Sequence, residues 1–269
     1  MRILSKKNKN IGTPNVPDDH PRAESLHYRH KLVDLMFEKV VTPSGLCAHG
    51  RGEAFDYLLG EKTIPPSEKA MEAAIASLLL AKHPVFSING NVAALVPESI
   101  VELAEVLDAD IEINIFYQAP GRIEAITSIL KKAGAKKILG LGDVTPKALS
   151  NISSNRRIVD PRGIFSADVV LVPLEDGDRT EALIENNKKV IAIDLNPLSR
   201  TAQKADITIV DNIIRCIPKM VKIARRMKNQ ESEKIKVIVN NFNQKKNLAD
   251  CLEYIINFLQ NLMETPNSK

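Results

Sequence analysis

Tryptophan is absent from this 269-residue chain, and aromatic residues make up only 4% of it. The core must therefore be aliphatic, and a surface that stacks bare bases on aromatic platforms is not expected. An excess of one charge is also missing, since 37 basic and 33 acidic residues leave a formal +4. That is too little for a nucleic-acid surface, so no nucleic-acid partner is expected. No apolar run is long enough to span a bilayer. The basic start MRILSKKNKNIGTPNVP is followed by no apolar stretch, so a secretory leader is not expected either, and residues 1–19 read as a flexible N-terminal arm. Cysteine is scarce: Cys47, Cys216 and Cys251 lie far apart without metal-ligand spacing, as suits reduced thiols in a cytoplasmic protein. Two nucleotide signatures are missing as well. The nearest approach to Gly-x-Gly-x-x-Gly, LGLGD (139–143), runs into VTP, and there is no Gly-x-x-x-x-Gly-Lys-Ser/Thr loop.

What is present is alternation of helix and strand. HPRAESLHYRHKLVDLMFEKVV (20–41) predicts a helix with an apolar stripe at Leu26, Leu32, Leu35, Met36 and Val40 and a polar face carrying Arg22, His27, Arg29 and His30. From Pro66, a helix capped by Ser67 leads to a strand at PVFSI (84–88). ESIVELAEVL (helix), DIEINIF (110–116, strand), GRIEAITSILKKAG (helix), KKILGL (136–141, strand) and SADVVLVPL (166–174, strand) follow. Strands separated by helices imply crossovers and a mostly parallel sheet, hence a Rossmann-like α/β domain over 20–228 with N-terminal helices. Residues 229–269 read as a charged, Asn-rich tail ending in a helix over 248–263, an extension that packs on the core or on a second subunit.

The stretch from Lys189 to Ile213, KVIAIDLNPLSRTAQKADITIVDNI, reads as two buried strands, VIAI and ITIV, each ending on an acid, Asp194 and Asp211. Ligands of open α/β sheets sit at strand ends, where a carboxylate commonly holds ribose. The loop between them offers Asn196, Ser199, Arg200 and Thr201, and Asn212 opens the next helix, where free N–H groups favour anions. A nucleotide site is the inference, although either acid alone could be a turn residue. In TPSGLCAHGRGEAFDYLLGEKT (42–63), His49, Arg51 and Glu53 alternate with Gly50 and Gly52, which predicts a tight turn that grips a ligand before a helix over 53–59. Asn89, Gly90 and Asn91 at a strand end suggest a backbone nest for an anion. Arg156 and Arg157 lie in a polar connection over 142–165. Asp176 and Asp178 could hold a magnesium ion or an amine, while Asp178 and Glu181 also stand at capping-box spacing.

These residues alone leave a nicotinamide- or S-adenosylmethionine-dependent enzyme and a non-catalytic nucleotide sensor open beside an ATP-using enzyme. HPRAESLHYRHKL, GLCAHGRGEAFDYLLGE, SINGNVAALVPE, SADVVLVPLEDGDRTEAL and VIAIDLNPLSRTAQKADITIVDNIIR, in that order over most of 20–218, closely resemble the archaeal phosphopantothenate synthetases, or 4-phosphopantoate–β-alanine ligases. The resemblance implies a homodimeric enzyme of coenzyme A biosynthesis. Its reaction joins 4-phosphopantoate to β-alanine while ATP is cleaved to AMP and pyrophosphate, with Mg2+ expected. It implies ATP contacts at Arg29, Arg51, Asp194, Leu195, Asn196, Arg200, Thr201, Asn212 and Ile213. Beside these, Arg51, Arg200 and Asp178 are the expected catalytic side chains. Asn89, Gly90, Asn91 and Arg156 are expected at the substrate phosphate, and Asp176 or Asp178 at the β-alanine ammonium. The sequence departs from the family in its longer arm, in Asp19 before His-Pro-Arg and in its tail.

Overall fold

Proline sets helix starts in the first half of the chain, because at the first helical position its fixed φ and missing N–H cost nothing. The computed structural model describes residues 16–117, 119–150 and 155–264; the expected arm lies outside these except for 16–19. After α1 (Ala23–Phe37), Pro43 opens α2 (Pro43–Leu58) and Pro65 opens α3 (Pro65–Leu80). Then come β1 (Pro84–Ile88), α4 (Gly90–Leu95), α5 (Pro97–Leu107), β2 (Asp110–Ile113) and α6 (Arg122–Lys132). A small hairpin of β3 (Lys147–Ala148) and β4 (Ile158–Val159) precedes β5 (Val169–Pro173) and α7 (Gly177–Glu185). The chain continues with β6 (Lys189–Ile193), α8 (Arg200–Lys204), β7 (Ile207–Ile209), α9 (Ile213–Met227), α10 (Ser232–Asn241) and α11 (Gln244–Glu264).

The main sheet is parallel throughout, in the order β2-β1-β5-β6-β7. Counted among themselves these strands run 2-1-3-4-5, a doubly wound order whose reversal falls between β1 and β5. Every residue of β5 is buried, as its uninterrupted apolar run predicts. Leu171, Ile191 and Ile193 join the core with α3, α5 and α9, while Val170, Val172, Val190 and Ala192 join Leu183 of α7 and Ile164. Each such side chain stabilises the fold by about 1.5–3 kcal/mol. β7 lies at the sheet edge, and α11 covers it. The Thr208 N–H donates to Gln244 Oε1 at 2.9 Å, and Asn247 Nδ2 donates to the Thr208 carbonyl at 2.8 Å.

Several expectations are corrected. Residues 42–63 do not make a tight turn, because α2 runs through Gly45, Gly50 and Gly52. Thr42 Oγ1 accepts from the Gly45 N–H at 3.1 Å and Pro43 follows it, start signals that outweigh glycines costing about 1 kcal/mol each. Gly45 serves packing instead, since a β-carbon there would overlap Asn91 Oδ1. KKILGL forms no strand: only Leu139 bridges to Glu112, and the chain turns away at Gly140 with φ 80°. Asn89 is the N-cap of α4, accepting from the Val92 N–H at 3.1 Å, so the segment begins a helix rather than a nest. Asp176, not Asp178, caps α7 by accepting from the Arg179 N–H at 2.8 Å. The charged tail contains α10, whose Ile235 is buried and whose Ile238 and Val239 pack on the main core.

Candidate functional site

At the reversal of strand order, the carboxyl ends of β1, β5 and β6 open into a cleft of about 360 Å³, with α2 along one wall. Asn89 straddles the reversal: its Nδ2 reaches the Pro173 and Leu174 carbonyls at 3.1 and 3.2 Å. Leu174 is held in the left-handed region at φ 54°, uncommon for leucine, and the bend presents Glu175 and Asp176 to the cleft. Of the residues named from sequence, Arg51, Asn89, Asn91, Arg156, Asp176, Asp194, Leu195, Asn196, Asn212 and Ile213 are brought together on its walls.

His49, Gly52 and Glu53 line it as well, and the remaining ones lie elsewhere. Arg29 pairs with Glu53 at 3.0 Å in an adjoining groove between α1 and α2. Gly90 is buried, and a β-carbon there would overlap the Val40 carbonyl oxygen. Thr201 is buried, donating to the Glu175 carbonyl at 2.9 Å. Arg200 lays its stem over Gly177 and pairs with Asp178 and Glu181, both outside the cleft walls. Asp178 is 78% exposed.

The two strand-end acids differ in place: Asp194 lines the cleft and Asp211 does not. Asp194 accepts from Ser199 Oγ and from the Asn196 N–H at 2.9 Å; burial raises its pKa, against these bonds and nearby Arg51. Asp211 is fully buried and faces away from ligand work. It accepts from Thr63 Oγ1 at 2.7 Å and from Arg215 at 2.8 Å, and burial raises its pKa despite the guanidinium. Arg215 also grips both oxygens of Asp56 on α2, at 2.6 and 3.0 Å. Asn212 caps α9 through Oδ1 and donates from Nδ2 to Asp56 at 2.8 Å, so its side chain is already engaged.

At the opposite end two buried arginines are paired with carboxylates. Arg156 pairs with Glu175 and, at 3.5 Å, with Asp176. Arg179 is completely buried behind it, donating to the Arg156 carbonyl at 2.9 Å and to Asn114. Burial pulls both guanidinium pKa values down to about 10, and for Arg156 the neighbouring Arg179 adds to it, so both remain cations at neutral pH. His49 on α2 also lines the cleft; burial lowers its pKa, and Nε2 is buried without a hydrogen-bond partner.

A family model described as phosphopantothenate/pantothenate synthetase matches residues 66–258, which include every strand of the sheet. The chain belongs to the phosphopantothenate/pantothenate synthetase family. It is 51% identical over 251 residues to the 4-phosphopantoate–β-alanine ligase of Thermococcus kodakarensis, covering 93% of this chain and 95% of that protein. It is 45% identical over 248 residues to the ligase of the same name from Methanosarcina mazei, covering 92% and 97%. Against the one from Methanospirillum hungatei it is 42% identical over 249 residues, covering 93% and 100%. These relatives extend over α2, which the family model leaves out.

Sequence reasoning missed several features of this synthetase. Glu175 stands in the quoted run VPLEDGD but carries no spacing signal that separates it from Asp176 and Asp178. The Asp56–Arg215 clamp joins residues 159 positions apart, a distance no local pattern reports. Arg179 follows Asp178 in the same quoted run with no local signal of burial, and only the tertiary structure buries it.

Proposed function

We propose that this protein condenses 4-phosphopantoate with β-alanine to give 4′-phosphopantothenate, with ATP cleaved to AMP and pyrophosphate. The observation that carries the reading is the cleft at the strand-order reversal, which brings the strand-end acid Asp194 with Asn196 and the ion-paired Arg156 onto one set of walls. The names of the relatives support the reaction. In this reading a carboxylate oxygen of phosphopantoate attacks the α-phosphorus of ATP, pyrophosphate leaves, and the acid becomes an acyl-adenylate. The neutral amine of β-alanine then attacks the acyl carbon, AMP departs with the bonding pair, and the amine loses a proton.

Arg51, midway along α2 on the cleft wall, stabilises phosphate charge, and Asp194 accepts from ribose. The backbone N–H of Ile213 at the start of α9 suits an anion better than Asn212, whose own N–H is donated to Asp211 at 2.8 Å and whose side chain is engaged. Arg29 and Arg200 serve ATP in the same reading, and Arg200 must first leave Asp178 and Glu181. Asn91 and Arg156 hold the phosphopantoate phosphate, and Asp176 holds the β-alanine ammonium. Among the described residues no group of three or more His, Cys, Asp or Glu side chains is placed to hold a metal ion. Magnesium carried on the triphosphate needs fewer protein oxygens, so it enters here as part of the substrate, where it neutralises phosphate charge. Among the described residues no helix is long and apolar enough to cross a membrane. A cytoplasmic homodimer completes the proposal, with exposed Ile256, Leu262 and Met263 of α11 as the surface a second copy would cover.

The test is to incubate purified protein with ATP, magnesium, 4-phosphopantoate and β-alanine and to identify the nucleotide product. AMP formed only with both organic substrates present is the expected result. ADP would replace the adenylate with an acyl phosphate, and ATP binding without turnover would leave a nucleotide sensor.

A further inference from the structure

One corner of the cleft is apolar. Phe116 and Tyr117 follow β2, stand edge to face with ring centroids 4.8 Å apart, and remain 43% and 49% exposed. Both line the cleft beside Leu95 and Leu174. In a chain with so few aromatic residues, two adjacent exposed rings at a cleft mouth mark a place where an apolar group is covered.

Their backbone is held by buried polar side chains. Arg122 is buried and donates to the Tyr117 carbonyl at 2.7 Å, while its other nitrogens reach the Val40 carbonyl at 3.3 and 3.4 Å. Asn114, two residues before Phe116, donates to the Arg156 and Ile158 carbonyls at 3.4 and 3.1 Å and accepts from Arg179. Rings and arginine are therefore tied to one frame and line the same cleft, the arrangement that a ligand with a phosphate and an adjoining apolar group requires. Phosphopantoate carries a quaternary carbon with two methyl groups next to its phosphate-bearing carbon. Those methyls are the only strongly apolar part of any substrate in the proposed reaction apart from the adenine faces.

Resting on the function proposed above, we infer that Phe116 and Tyr117, with Leu95 and Leu174, form the pocket for the dimethyl carbon of phosphopantoate and set the selectivity for the branched acid. The unbranched competitor is 2-hydroxy-4-phosphobutyrate, identical at both charged ends. A pocket that covers methyl groups discriminates against their absence by roughly tenfold or more.

The experiment compares kcat/KM for the two acids in the unsubstituted protein, the Phe116→Ala/Tyr117→Ala double variant and Phe116→Leu. The expected result is a preference for phosphopantoate of about tenfold or more in the unsubstituted protein, collapsing to within about threefold in the double variant, with Phe116→Leu keeping most of it. The Michaelis constant for ATP should stay within about twofold throughout, which also reports an intact fold. A preference that survives in the double variant, or one that falls only in step with a rising ATP constant, overturns the inference. Equal turnover of both acids by the unsubstituted protein overturns this inference alone. Failure of that protein to form amide from phosphopantoate removes the parent function, and this pocket with it.

Discussion

Asp178 and Asp176 are two residues apart in sequence and do different things. Asp176 caps α7 and faces the cleft, whereas Asp178 points outward and holds Arg200 together with Glu181. Asp178→Asn should therefore leave the Michaelis constant for β-alanine unchanged. Loosening Arg200 should instead lower the constant for ATP, by less than about fivefold, because an exposed ion pair contributes at most about 1 kcal/mol. Steady-state kinetics with each substrate varied in turn checks this, and a rise confined to β-alanine would return Asp178 to the amine. Gly177 makes the arrangement possible, since the Arg200 stem occupies the space its β-carbon would take. A sequence shows that a glycine and an arginine are present, but not that one lies across the other 23 positions later.

At the scale of elements, α2 brings Arg51, His49 and Gly52 to the cleft, and it is anchored to α9 through the Asp56–Arg215–Asp211 bridge. Asp56 and Asp211 are both buried. Arg215→Met would leave two buried carboxylates without their cation and should cost about 3–5 kcal/mol in urea unfolding. Removal of the exposed Arg226–Glu72 pair by Arg226→Met should change stability by no more than about 1 kcal/mol. Comparable losses for the two variants would show that the buried bridge has no special role. The elements differ in how openly the sequence announces them. β5, β6 and α9 were legible because an unbroken β-branched run or a clean helical stripe has one reading. α2 was not, because glycine signals a turn locally, and at Gly45 it is tolerated so that Asn91 can approach the helix. KKILGL has strand composition, but pairing is a property of two segments, and Gly140 bends the chain away after one bridge. Asp194 was legible as a strand-end acid and does line the cleft, Asp211 is instead taken up by Thr63 and Arg215, and the arginine cluster depends on Arg156 and Arg179 arriving from separate segments.

Across the whole molecule, Glu112 ties β2 to the loop before β5 by accepting from the Asp160 and Ile164 N–H groups at 3.1 and 2.6 Å. Burial pushes its carboxyl up to about 7, against those bonds and the neighbouring Arg179. The folded carboxyl keeps its proton to about pH 7 while an unfolded one releases it near 4.5. The folded state thus binds more protons in that window, and the contribution of Glu112 to stability, full below it, is lost as pH rises through it. Glu112→Gln should flatten the fall in unfolding free energy between about pH 5 and 7, a few kcal/mol at most, even if the amide lowers stability overall. An unchanged slope would show that Glu112 is ionised throughout. The cover that α11 gives to β7 has a consequence in time. Thr208 leaves the ribosome about 40 residues ahead of Asn247, which at about 5–20 residues per second is an interval of seconds. Throughout that interval the growing chain carries a strand edge with no partner of its own, so a pause in translation anywhere between the two residues lengthens the period in which neighbouring nascent chains can pair with it.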